Sequence, residues 1–198
     1  MTGEYVSMAH GAGGSAMDAL IRRYILKHLG GSSAEVPLEA LDDAAVINGI
    51  VLKSDSYTVK PLFFPGGDIG RLAVAGTVND ISVLGAEPLA LAAGFVFEEG
   101  FPLSDLERIL SSMNETCKDA GVAVITGDTK VVEHGALDKF IVNSSGVGRR
   151  SALLDRNLEE AKKFRSCDAR WLLDSNIRAG DEIILSGAIG DHGIAVLS

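Results

Sequence analysis

Residues 89–97 read LALAAGFVF, nine in a row with neither a charge nor a hydrogen-bonding side chain. A strand of this kind has no polar face to turn to water, so it belongs inside a sheet with both faces covered. The rest of the chain has to supply that cover. Helical periodicity lies on both sides of the run. Asp68 stands where an N-cap belongs, ahead of a helix from about Ile69 to Leu84 that Gly85 closes. Residues 104–107 read SDLE, a capping-box pattern that opens a second helix ending at Gly121.

The other elements are shorter. AMDALIRRYILKHLGG reads as a helix, with Met17, Leu20, Ile21, Tyr24, Ile25 and Leu29 at helical spacing and Gly30-Gly31 as its stop. AAVINGIVLKSDSYTV reads as a hairpin with Asn48-Gly49 as a type I′ turn. PLFFPGGDIG is a loop, VAVIT a short buried strand, and DKFIVNSSGVG a strand ending near Arg149. The order α, β, β, α, β, α, β, β fits an α+β domain, with helices on one face of a mostly antiparallel sheet. Residues 149–179 are charged and helical in their middle, and form a connector in which Trp171 is expected to pack. GDEIILSG reads as a new strand and GDHGIAVLS as the first turns of a helix. The chain therefore divides into a domain over 1–148, a connector over 149–179, and over 180–198 the start of a second α+β domain whose remainder is absent.

Composition narrows the function. With 46% hydrophobic residues among 198, a packed core is within reach. A net charge of −9 argues against nucleic acid or an anionic membrane as the main partner. It leaves room for a small phosphate ligand if a divalent cation supplies the positive charge. The two cysteines, Cys117 and Cys167, form no C-x-x-C pair and read as reduced thiols. MTGEYVSMAHGAGG lacks the pattern of a signal peptide, and Asp80 and Glu87 interrupt the apolar span from Leu72 to Phe97. A cytoplasmic location with no membrane association is expected.

No G-x-x-x-x-G-K-[ST] motif is present, nor a G-x-G-x-x-G after a strand. What stands out is acid where apolar residues are expected. Asp42-Asp43 opens the hairpin, Asp55 ends its second apolar run, Asn79-Asp80 lies within an apolar helix, and Asp128, in VITGDTKVV, ends a buried strand. Asp43 and Asp55 also suit a turn and a strand end, and Asp128 with Lys130 also suits a local ion pair. Asp80 is harder to dismiss, being the only charge between Leu72 and Leu84, because burying an unpaired carboxylate costs several kcal/mol. Four such placements together suggest an oxygen-rich Mg2+ site that takes phosphate oxygens through the metal. HGAGG, residues 10–14, is either a flexible loop or a backbone cradle for phosphate ahead of a helix. His192, in GDHG, follows a strand and opens a helix.

HGAGG, DDAAV, SDSY, PLFFPGGDIG, TVNDISVLGA, GFVFEEG, TGDTKVV and GDHG, in this order, resemble the HypE family of hydrogenase maturation factors. That family belongs to a group of ATP-binding enzymes with aminoimidazole ribonucleotide synthetase, selenophosphate synthetase and thiamine-monophosphate kinase. The resemblance covers residues 8–148 and 180–198. It implies a homodimer paired through the N-terminal sheets, with ATP and Mg2+ in a cleft close to the interface. The implied reaction is ATP-dependent dehydration of a protein-bound S-carboxamide to a thiocyanate, the source of the cyanide ligands of [NiFe]-hydrogenase. HypF would supply the carbamoyl group, and the HypC–HypD scaffold would receive the cyanide. The resemblance implies Asp43, Asp55, Asp80 and Asp128 as metal ligands. It implies His10, Gly11, Gly13, Gly14, Asn79, Gly127, Thr129 and Lys130 as nucleotide contacts, and Lys130, Asp191 and His192 as catalytic groups. The reaction also needs a C-terminal cysteine that neither Cys117 nor Cys167 matches, so this chain alone is expected to be inactive. The alternatives are a related enzyme, such as thiamine-monophosphate kinase or selenophosphate synthetase, and a non-catalytic dimerisation module. The absence of a cysteine before Cys117 disfavours the selenophosphate enzyme.

Overall fold

The computed structural model of the chain describes residues 5–164, 166 and 168–198. Cys167, expected as a reduced thiol, lies outside them. The elements are α1 (Ser15–Leu20), a π-helical stretch Ile21–Leu26 leading into α2 (Lys27–Leu29), β1 (Ala45–Ile47), β2 (Ile50–Tyr57), β3 (Phe63–Phe64) and β4 (Gly67–Asp68). They continue through α3 (Ile69–Val83), β5 (Ala86–Glu98), α4 (Leu103–Ala120), β6 (Val124–Val132), β7 (Phe140–Arg150), α5 (Ala152–Ala161) and α6 (Asp191–Leu197). The main sheet has the order β1-β2-β7-β5-β6, antiparallel except for the parallel β5–β6 pair. The α+β class, with a mostly antiparallel sheet, is as expected. Among the described residues no helix is long and apolar enough to cross a membrane.

The hairpin forms as its turn demands. Asn48 and Gly49 both take positive φ, 52° and 76°, as type I′ requires, and Ile47 pairs with Ile50 across them. The α3 cap is also as expected. The Asp68 side chain accepts from the backbone N–H groups of Gly70 at 2.8 Å and Arg71 at 3.0 Å, and Asp68 is buried. Replacing Asp68 by alanine removes the Oδ1 that accepts both bonds, so unfolding stability should fall by about 1 kcal/mol. Urea denaturation checks this, and an unchanged midpoint would show that other groups satisfy the helix end.

Two hydrophobic cores result. Ile69, Ala73 and Val74 of α3, Ile109 and Met113 of α4, and Leu91, Phe140 and Val142 of the sheet form the first. The second gathers Val46, Val51, Ile81 and Leu84 with Leu154, Leu158 and Trp171. Trp171 packs on Leu154 and Leu158 of the 149–179 region, as expected, and also on Val46, Val51, Ile81 and Leu84 outside it. That region is also more than a connector, since it covers one end of α3. Glu35 ties it to the hairpin, accepting from Trp171 Nε1 at 3.3 Å and from the Gly49 N–H at 2.7 Å, with Arg170 Nη1 at 3.2 Å.

Four local expectations need correction. The strand over 89–97 is fully buried on one face only, through Leu91, Ala93 and Phe97, while Ala90, Ala92 and Val96 on the other face are half-buried. Its lack of polar side chains gave no means of telling a covered face from one lined by small residues. The α4 helix starts at Leu103 with Pro102 at its N-cap and no side-chain cap bond, so SDLE lies inside the first turn. VAVIT is not a buried strand, because β6 is the sheet edge and Ile125 is 70% exposed. GDEIILSG forms no strand among the described residues. Ile183, Ile184 and Leu185 are exposed, with no neighbouring strand to take their backbone hydrogen bonds.

Candidate functional site

Strand alternation puts Lys53, Asp55 and Tyr57 on the face of β2 that α3 covers. The helix comes close there because Gly76 has no side chain; a Cβ at that position would strike the Tyr57 hydroxyl. Thr77 and Asp80 lie one helical turn apart on α3 and so share the face that looks down on β2. Lys53 Nζ sits 2.6 Å from Asp80 Oδ2 and 3.2 Å from Asp55 Oδ1. The Tyr57 hydroxyl donates to Asp55 Oδ2 at 3.1 Å and lies 3.3 Å from Thr77 Oγ1. The Asp80 and Lys53 side chains are mostly buried, at 25% and 17% exposure.

The charges do not balance. Burial pushes the Asp80 carboxyl above its ordinary value; Lys53 pulls it back, and the negative charges of Asp55 and Asp43 push it up again. Burial works against the Lys53 ammonium, yet its bonds to Asp80 and Asp55 hold it above the usual lysine range. The Asp80 carboxyl rises because burial outweighs its bond to Lys53, while the Lys53 ammonium rises because two carboxylates together outweigh its own burial. Burial also holds the Tyr57 phenol up, so it stays neutral and donates.

Asp43 stands at the margin of this group and joins a second one. One carboxylate oxygen from each of Asp42, Asp43 and Asp174 lies within 4.8 Å of the others. Asp174 is brought there from the 149–179 region, its N–H donating to Asp42 Oδ2 at 3.3 Å. Asp43, Asp55 and Asp80 therefore form one acidic region beneath the end of the hairpin. It is short of cations, and its donors are all oxygens, the set that suits Mg2+. Lys53 and Asp174 were not among the residues expected. Lys53 was findable, since it is two residues before Asp55 and so shares its face. Asp174 carried no local signal.

The remaining expected residues are elsewhere. Asp128 and Lys130 pair in register with Gly94 and Val96, on the face of the sheet away from the helices. Thr129 pairs with Phe95 and Gly127 with Ala93. The strands β7 and β5 intervene between β2 and β6, about 14 Å at the usual spacing. One chain therefore does not bring Asp128 to Asp55 and Asp80. The side chains of Asp128 and Lys130 have no hydrogen-bond or ion-pair partner among the described residues, which removes the local ion pair as an explanation. Asn79 is exposed on α3.

His10, Gly11, Gly13 and Gly14 precede α1, and His10 Nδ1 accepts from the Ser7 N–H at 3.0 Å. A Cβ at Gly11, Gly13 or Gly14 would meet nothing within 4 Å, so this loop does not pack on the acidic region. Asp191 and His192 line a cavity of about 300 Å³ with Phe64, Gly67 and Arg71, the His192 ring lying edge-on to Phe64 with centroids 6.3 Å apart. Arg71 is nine residues from Asp80, about 14 Å along α3, so this cavity is at the opposite end of the helix. The same spacing excludes Arg71 as the partner of Asp80.

Comparisons with known proteins agree with the fold. Residues 41–150 match the family model of the AIR synthase related protein, N-terminal domain. A protein named for hydrogenase expression and formation in Methanocaldococcus jannaschii is 48% identical over 198 residues, covering 97% of this chain and 54% of its own length. The carbamoyl dehydratase HypE of Azotobacter vinelandii is 44% identical over 193 residues, covering 98% and 52%. Among solved structures, a HypE–HypF complex aligns with a TM-score of 0.62 at 52% identity, covering 67% of this chain and 42% of that one. HypE in complex with ATP aligns at 0.52 and 44% identity, covering 76% and 44%. The chain spans about half the length of the curated relatives it matches.

Proposed function

The chain belongs to the AIR synthase related family, and we propose that within that family it is a HypE, binds ATP with Mg2+ and serves hydrogenase maturation. The observation that carries this is the convergence of Asp55 and Asp80 on one cation position, with Asp43 beside them and, among the described residues, one ammonium to offset three carboxylates. Asp43, Asp55 and Asp80 would hold the metal, which when bound neutralises phosphate charge and orients the polyphosphate. Tyr57 fixes Asp55 through its donated bond and keeps that carboxylate turned toward α3.

The other half of the site is proposed to come from a second copy. Asp128 and Lys130 lie on an open sheet edge three strands away, on the opposite face, with Thr129 between them on the face the helices cover. Val124, Ile125 and Val131 on that edge, and Ile50 and Leu52 of β2, are exposed apolar groups. A homodimer that covers these residues can set β6 of one copy beside the acidic region of the other. Asp128 then adds a carboxylate, while Thr129 and Lys130 donate to phosphate oxygens. Gly127, Asn79 and the His10–Gly14 loop would close on the nucleotide. Asp191 and His192 would act from the 180–198 segment, the start of a second domain in the proposed division at 148 and 179.

The proposed reaction is the ATP-dependent dehydration of a protein-bound S-carboxamide to a thiocyanate. It is supported by relatives named carbamoyl dehydratase and by the HypE structure solved with ATP. HypF as carbamoyl donor is supported by the HypE–HypF complex. HypC–HypD as recipient and a cytoplasmic location belong to the same proposal, on family grounds. Calorimetric titration with ATP should show binding that requires Mg2+. Equal heats with and without Mg2+, or none in either case, would contradict the proposal.

A further inference from the structure

Lys53 is the cation of the Asp55–Asp80 group, and the motifs do not account for it. Its Nζ lies between Asp80 Oδ2, at 2.6 Å, and Asp55 Oδ1, at 3.2 Å. That is the place a cation held by both carboxylates would take. A bound Mg2+ needs oxygens at about 2.0–2.1 Å in near-octahedral array, so it and the ammonium cannot occupy the space together. A lysine is suited to giving way, since its charge is a point on a flexible four-carbon stem. On the strength of the Mg2+–ATP function proposed above, we infer that Lys53 is a tethered cation that holds the Asp55–Asp80 pair in the metal-free protein, yields that position to a divalent ion, and so sets the metal affinity of the site. In the metal-free state the ammonium keeps two mostly buried carboxylates from repelling each other. In the metal-bound state the displaced ammonium stays within reach of whatever anion the metal carries. Lys53 is thus a positioning and affinity-setting residue rather than a ligand.

The test is a titration of the full chain with Mg2+ alone, paired with melting temperature, on wild type, Lys53→Met and Lys53→Arg. Loss of the ammonium should lower the melting temperature without metal. It should also tighten Mg2+ binding by roughly tenfold or more, because the metal no longer displaces a competing charge. Mg2+ should then raise the melting temperature of Lys53→Met more than that of wild type. Lys53→Arg keeps a competing cation and should bind Mg2+ no more tightly than wild type. If Lys53→Met does not fold without metal, Lys53→Gln, which keeps a donor for the carboxylates, carries the same expectation. A purely structural lysine would not tighten metal binding on removal, so equal or weaker Mg2+ affinity in the neutral variants overturns the inference while leaving the proposed function standing. Tightening in Lys53→Arg as large as in Lys53→Met also overturns it. Absence of Mg2+ binding in wild type and in every variant also overturns the inference, while the proposed function stands or falls separately on the titration with ATP and Mg2+ together.

Discussion

Replacing Asp80 by asparagine should weaken Mg2+–ATP binding by roughly tenfold or more, the loss expected if the metal contact contributes over about 1.4 kcal/mol. The melting temperature of the metal-free protein should hold or rise slightly. The second expectation follows from the sign of the Asp80 shift. Folding raises its pKa above the usual 3.8, with burial as the largest cause. A carboxyl raised in this way costs stability wherever it is ionised. The cost is absent below about 3.8 and complete once pH exceeds the folded value, so the relief from asparagine is greatest at neutral pH and vanishes in acid. Lys53 does not lose its only partner, because Asp55 Oδ1 remains at 3.2 Å and the asparagine oxygen can still accept. A purely structural ion pair gives the reverse: a loss of about 3–5 kcal/mol for a broken buried pair, with nucleotide affinity little changed in the folded fraction. Melting temperature and calorimetry on this one variant separate the two.

The parts of the fold that were legible in the sequence are those with a local cause. Asn48-Gly49 could hardly be anything but a tight hairpin turn, and Asp68 before an apolar periodic run could hardly be anything but a cap. The errors share a different cause. Whether 89–97 is covered on both faces, and whether VAVIT is central or at an edge, depends on which elements lie beside them, and periodicity does not encode neighbours. GDEIILSG carries the apolar run of a strand, but among the described residues no strand lies beside it, and it forms none.

The candidate site divides in the same way. Asp55 and Asp80 do converge, as their misplaced charges suggested, and the alternation in KSDSY was enough to add Lys53. The motif TGDTKVV was recognisable, but its position relative to the acidic region was not, since that rests on strand order. The sheet puts it at the far edge, and the resemblance implied a cleft close to a dimer interface without saying which copy gives which ligand. Asp174 depends on how the 149–179 region is pinned by Glu35, Trp171 and Arg170, a tertiary contact with no short-range signature.

The central claim is that two copies of the chain share each site, one giving Asp80 and its neighbours, the other Asp128 and Lys130. Mixed dimers test it most directly. Asp80→Asn and Asp128→Asn, each prepared alone, should both bind Mg2+–ATP poorly. When the two are co-expressed, a mixed dimer places both substitutions in one site and leaves the other intact. Calorimetry on the co-expressed protein should then recover tight, Mg2+-dependent ATP binding at about a quarter of the wild-type site number, if the two chains assort at random. Tight binding no greater than in either variant alone, from a preparation shown by sedimentation to contain dimers, would contradict the claim.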